Sequence, residues 1–110
     1  MIAAGNLDRR ITVRRLAEGR DALNAPSTDW ADAATLWASY RPATARERLA
    51  AGELGAEIDA VFRVRWSTFA STITSADSIA FDGRDFGIVG AVEVDRRVGV
   101  EISAVSRGDV

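Results

Sequence analysis

Asp82 and Asp85 stand on either side of Gly83 and Arg84, close enough in sequence for two carboxylates to be read as an acid and base pair. Such a pair needs a cleft and a raised pKa on one partner, and the residues around it read as a hairpin in which aspartate serves turn chemistry. Ser39, Ser67 and Ser103 would be nucleophiles only beside a base, and the chain contains no histidine. It contains no cysteine either, so disulfide scaffolds, thiol catalysis and the common zinc sites drop out together. No catalytic, metal or cofactor-binding residues are expected, and no enzyme.

Charge is the remaining chemistry. All fourteen cations are arginine, set against sixteen acids for a net charge of −2, whereas a dedicated nucleic-acid binder is normally clearly basic. Arg63 and Arg65 share one face of a strand, and Arg14 and Arg15 end another, with Arg9 and Arg10 at its start. Two readings stay open for these rows. They are solvated faces, or they pair with acids such as Glu47, Glu53 or Glu57 of an adjacent copy, as a head-to-tail ring would require.

The element that must position these groups is a polar excursion, Ala43 to Glu57, between two strand-like runs. Inserts of this length within a compact domain are either functional or disordered. Thr44-Ala45-Arg46-Glu47 has the spacing of a capping box, with Gly52 as the expected stop. A helix this short is unstable alone in water, so Leu49, Leu54 and Ile58 need a surface in this subunit or the next. The candidate interface residues are Thr44, Arg46, Glu47, Arg48, Leu49, Glu53, Leu54 and Glu57, with Arg63, Arg65, Arg14 and Arg15 as candidate intersubunit charge contacts.

Around the excursion the chain reads as strands. Ile11 and Val13 alternate with polar neighbours in a strand from Arg9 to Leu16, and Ala17 to Thr28 reads as a long surface loop. Thr35 to Arg41 is stopped by Pro42, and Asp59 to Ser67 returns with Phe62, Val64 and Trp66 on the inner face. Phe69 and Ile73 are expected to fold back onto the core, and Trp30, Trp37 and Trp66 to belong to it. Asp82-Gly83 signals a tight hairpin, Gly87 and Gly90 mark bends or close approaches, and Asp95-Arg96-Arg97 makes a second turn.

With 110 residues, 47% of them hydrophobic and 27% charged, one domain is expected. The fold class is mainly β: a small, partly open antiparallel barrel of about six strands with an inserted loop carrying a short helix. Residues 1–8 are expected as a flexible arm, 9–106 as the barrel with insert 43–57, and 107–110 as a tail. The basic pair Arg9-Arg10 follows the short apolar start, the reverse of a secretory signal, and no apolar run is long enough to span a membrane. A cytoplasmic chain is therefore expected.

The landmarks also carry a resemblance. The ordered series Leu7-Asp8-Arg9-Arg10-Ile11-Thr12-Val13, Arg20-Asp21, Trp30, Leu36-Trp37-Ala38-Ser39-Tyr40-Arg41-Pro42, Arg46-Glu47, Phe62-Arg63-Val64-Arg65, Ile79 to Gly83 and Phe86 to Val89 resembles the head-tail joining family. These are the head-closure, or stopper, proteins of tailed phages and gene transfer agents. The first loop departs from the family's Asp-x-x-Gly, reading Asp21-Ala22-Leu23-Asn24, and the connection from Phe69 to Asp77 is longer than the family's. The resemblance implies a virion structural protein: a homo-oligomeric ring, six- or twelve-fold, below the portal and its adaptor and above a tail terminator or tail tube. The ring would hold packaged DNA without sequence specificity and offer the surface to which the tail attaches. The chain would be cytoplasmic during assembly and then sit at the head-tail junction of the particle. It further implies that the insert after the Pro-ended strand points toward the channel or a neighbouring ring. Two other readings are another ring of the same connector, adaptor or tail terminator, and a small barrel that binds nucleic acid or a peptide.

Overall fold

The computed structural model describes residues 7–16 and 30–109. Six strands follow in chain order: β1 (Arg9–Leu16), β2 (Trp30–Pro42), β3 (Ala60–Arg65), β4 (Ser78–Phe81), β5 (Arg84–Val94) and β6 (Gly99–Asp109). One helix, α1 (Ala45–Glu53), interrupts β2 and β3, and a 3₁₀ turn, Ala70–Thr72, lies between β3 and β4. All pairings are antiparallel, and the order β1-β2-β3-β6-β5-β4 closes on itself. The expected small barrel is thus present. Its circuit is closed, not partly open, because β1 reaches β4 through the pairs Thr12↔Ala80, Val13↔Ile79 and Arg14↔Ser78.

Alternation decides what fills it. Ile11 and Val13 of β1, Phe62 and Val64 of β3 and Ile102 and Ala104 of β6 are buried, as the period of two requires. Tyr40, Phe62, Phe81 and Phe86 form the centre, with Phe62 edge-on to Phe81 and to Phe86 at 5.4 Å between centroids. Edge-to-face contacts of this kind add to the gain from burial. Ile73 is buried and Phe69 packs beside it against the same cluster, as expected.

The turns explain the rest of the circuit. Asp82 and Gly83 take φ 53° and 74° between β4 and β5, the pair of left-handed residues that a two-residue hairpin needs. Gly87 is a close approach, since a Cβ there would collide with the guanidinium of Arg107. Gly90 lies where the β5–β6 register slips, which re-aims the strand. Asp95, Arg96 and Arg97 take φ 53°, 51° and 69° in succession, and the Val98 amide donates to the Val94 carbonyl across them at 3.2 Å.

Several boundaries differ from the sequence reading. β2 begins at Trp30 and includes Pro42, because pairing with β1 from Leu16↔Trp30 onward supplies the order that Ala31-Asp32-Ala33-Ala34 does not encode. β6 continues to Asp109, opposite Arg84, through residues assigned above to the tail. The expected arm, residues 1–8, lies mostly outside the described residues, as does the loop from Ala17 to Thr28. No described helix is long and apolar enough to cross a membrane.

Candidate functional site

The insert rests on a built foot. The Ala43 amide donates to the Asp59 carbonyl at 2.9 Å, the Asp59 amide to the Ala104 carbonyl at 2.8 Å, and the Ser106 amide to Asp59 Oδ2 at 2.8 Å. These bonds carry the ladder past the formal ends of β2 and β3, and Ala43 and Ile58 are buried beside them. The Asp59 foot is thereby tied directly to β6, and the Ala43 foot is tied to it through Asp59.

Above the foot the capping box forms as its spacing predicts. Thr44 Oγ1 accepts from the Glu47 amide at 3.1 Å, and Glu47 Oε1 accepts from the Thr44 amide at 2.8 Å. Glu47 also takes a fork from Arg41, Nη1 to Oε1 at 2.6 Å and Nη2 to Oε2 at 2.8 Å. The Arg41 guanidinium, and next the Thr44 amide, hold the Glu47 carboxyl down at about 2, because both favour its ionised form. The last residue of β2 before the proline thus fixes the first turn of α1.

The other end corrects one expectation. Gly52 lies inside α1, and the left-handed residue that ends it is Gly55, φ 74°. The Gly55 amide reaches the Gly52 carbonyl at 3.0 Å and the Ala56 amide reaches the Ala51 carbonyl at 2.9 Å, the paired bonds of a Schellman ending.

Between these two caps the helix buries none of its residues. Leu49 is 67% exposed and Leu54, the C-cap residue, 87%. Arg46, Arg48, Glu53 and Glu57 are exposed too, and among the described residues none of the four has an ion-pair partner. Of the apolar trio that needed a surface, only Ile58 finds one among the described residues.

The four candidate charge contacts fare differently. Arg63 pairs with Glu101, directly opposite it across β3 and β6, at 2.7 Å, and Arg14 approaches Asp32 at 3.3 Å. Arg15 neutralises the buried Asp77 at 3.1 Å and lies over the Phe69 ring. Arg65 is exposed, with no ion-pair partner among the described residues. Glu47 is committed to Arg41. The candidate groups left without an ion pair among the described residues are Arg46, Arg48, Arg65, Glu53 and Glu57.

A second feature escaped the sequence reading. Trp37 is 52% exposed and Trp30 39%, so neither belongs to the core, while Trp66 packs partly against it. Leu36, Ala38 and Tyr40 face the core, which turns Trp37 outward by the period of the strand. The alternation Leu36-Trp37-Ala38 was the available signal. Trp37 and Leu36, with Leu7, Val64, Arg65 and Ser67, line an open groove of about 450 Å³ where β2 runs on past the end of β3. Arg10 lies over the Trp37 ring at 4.7 Å.

The arrangement offers contact surfaces. Among the described residues no cluster of three or more carboxylates could hold a metal ion.

Comparison with known proteins places this architecture. The solution structure of protein SF1141 from Shigella flexneri 2a is similar to it, with a TM-score of 0.79 and 25% identity over 96% of this chain and 97% of that one. No curated protein matches the chain. The model of the phage head completion protein family matches residues 2–107, nearly the whole length over which the ordered landmarks run, and the chain belongs to that family.

Proposed function

We propose that this protein is a head-completion connector of the stopper kind: a ring of identical copies below the portal and its adaptor that retains packaged DNA and presents the surface on which the tail docks. The coarser part, a phage head-completion role, follows from the family. For the finer part, the observation that carries the reading is the state of α1. It is capped at both ends and bolted to β2 by Arg41, yet it buries nothing. Order imposed on a helix that holds Leu49 and the C-cap residue Leu54 out in solvent has a use if another surface meets them.

On this reading Ala43 to Glu57 faces the channel or an adjoining ring, and the energy of assembly comes from burial between copies and between rings. Packaged DNA would meet the ring through its phosphates alone, without sequence preference. The near-neutral net charge favours this over a separate nucleic-acid binding role. The adaptor is the weaker alternative, because adaptors of such connectors are helical and this chain is a β barrel.

Particles assembled without the protein test the proposal. Filled heads that leak DNA and carry no tails are expected, and heads that keep both DNA and tails would refute it. A chain lacking Arg46 to Gly55 should still fold as a barrel but fail to complete heads. Normal completion by that chain would return the insert to an ordinary loop.

A further inference from the structure

We propose that Leu54 of one copy seats in the Trp37 groove of a second copy, a head-to-tail contact that deepens the connector reading and rests on it. Leu54 ends α1 with its side chain 87% exposed, between Glu53 and Glu57, where the carbonyl end of the helix adds negative potential. The groove has the opposite character. Its walls are Leu36, Trp37 and Val64, its rim carries Arg65, and Arg10 lies on the outer tryptophan. An apolar knob with an acidic collar thus has an apolar slot with a basic rim to enter, and these are charges that the chain does not pair among its described residues.

Position makes the contact one between copies. The β2–β3 pairing runs from Ala38↔Val64 to Pro42↔Ala60. The helix leaves from the Pro42 end, and the groove opens at the Val64 end. Knob and slot therefore occupy opposite ends of one pair of strands, and within a single copy Leu54 stays in solvent. Donor and acceptor patches that differ make a heterologous contact, which repeats from copy to copy and closes into a ring where the rotation allows. One leucine is a small contact. In a closed ring each copy gives one and receives one, so the contacts reinforce each other by effective concentration.

The chain contains no cysteine, so engineered thiols report the contact cleanly. Full-length L54C is activated as a mixed disulfide with thionitrobenzoate and combined with full-length S67C, V92C or R65C, the release of the coloured thiolate giving the rate. Val92 is 65% exposed on β5 and would win if random collision governed. The contact predicts the reverse, with S67C coupling about tenfold faster than V92C through the raised local concentration. Because the Ser67 hydroxyl accepts from the Ala70 amide at 2.9 Å, R65C supplies a second acceptor that keeps this bond and gives up the rim charge instead, so the two variants disturb the groove in different ways. Faster coupling at either position supports the contact; rates no greater than that of V92C at both overturn it. Should they be overturned while particles lacking the protein still leak and lack tails, this contact falls and the connector reading stands. A fast L54C–S67C reaction with normal particles would do the opposite.

Discussion

The barrel wall and the insert are ordered by different forces. In the wall, alternation sends Phe62, Phe86 and Ile102 inward, and apolar burial sets which face of each strand is which. In the insert the apolar side chains point out, and position comes from polar bonds at the base: the Arg41 fork, the reciprocal Thr44 and Glu47 pair, and the two feet on Asp59 and Ala104. The first region buries its own apolar side chains. The second is held by polar bonds alone and leaves Leu49 and Leu54 exposed.

The comparison breaks most visibly at Phe62. It is fully buried and touches Tyr40, Phe81 and Phe86 at 5.4 Å between centroids in each case. Phe62→Ala should lower stability by about 3–5 kcal/mol through lost transfer energy and the cavity left behind. Denaturant unfolding measures this. A loss below about 1 kcal/mol would mean that the aromatic centre can collapse onto the gap, against the tight packing of interiors.

Glu47→Ala probes the other region. It removes the Arg41 fork and half of the capping box, interactions worth about 1 kcal/mol in sum at a surface. The global unfolding midpoint should therefore barely move. Tryptic cleavage after Arg46 and Arg48 should instead speed up, because α1 has no packing to hold it once its first turn loosens. An unfolding midpoint that fell as far as in Phe62→Ala would erase the distinction between wall and insert.

Acid sharpens the same point without mutation. The Glu47 carboxyl sits at about 2 in the fold against an ordinary 4.5. A carboxyl with a lowered folded pKa contributes stability in full above its unfolded value and loses it as pH falls through the folded one. Between about pH 4.5 and 2 the insert should loosen, with faster amide exchange along Ala45 to Glu53. A carbon-detected titration of Glu47 should show the low midpoint, and Arg41→Ala should return it toward the ordinary value. An unshifted midpoint in the natural chain would show that the fork does not persist in solution.

Legibility in the sequence followed the range of the interaction. Thr44-x-x-Glu47 and Asp82-Gly83 were readable because a cap and a two-residue turn are decided within four residues. The closing glycine was misplaced by three positions, since both Gly52 and Gly55 suit a helix end and only the bonds to Ala51 and Gly52 choose between them. The exposure of Trp37 was present in the strand period but was overruled by the general habit of tryptophan to be buried. The partners of Arg14, Arg15 and Arg63 were not readable. Asp32, Asp77 and Glu101 meet them only through the register of β1 with β2, the closure by β4 and the pairing of β3 with β6.

The β5–β6 turn gives the smallest effect, and one of opposite sign. Asp95, Arg96 and Arg97 all adopt left-handed backbone, with φ of 51° for Arg96, and a side chain in that region crowds its own carbonyl. Asparagine, aspartate and glycine tolerate it; arginine has no local hydrogen bond to offset the crowding. Arg97 has a reason to stay, as its guanidinium lies over the Trp66 ring at 4.9 Å. Arg96 is exposed, with no ion pair or ring contact among the described residues. Arg96→Gly should therefore stabilise the barrel by about 0.5–1 kcal/mol, the relief of strain exceeding the entropy that glycine adds to the unfolded chain. Thermal unfolding of the two chains side by side would register it as a small upward shift of the midpoint. A downward shift would mean that Arg96 makes a contact in solution that outweighs its backbone strain, and the turn would then join the wall as a packed element.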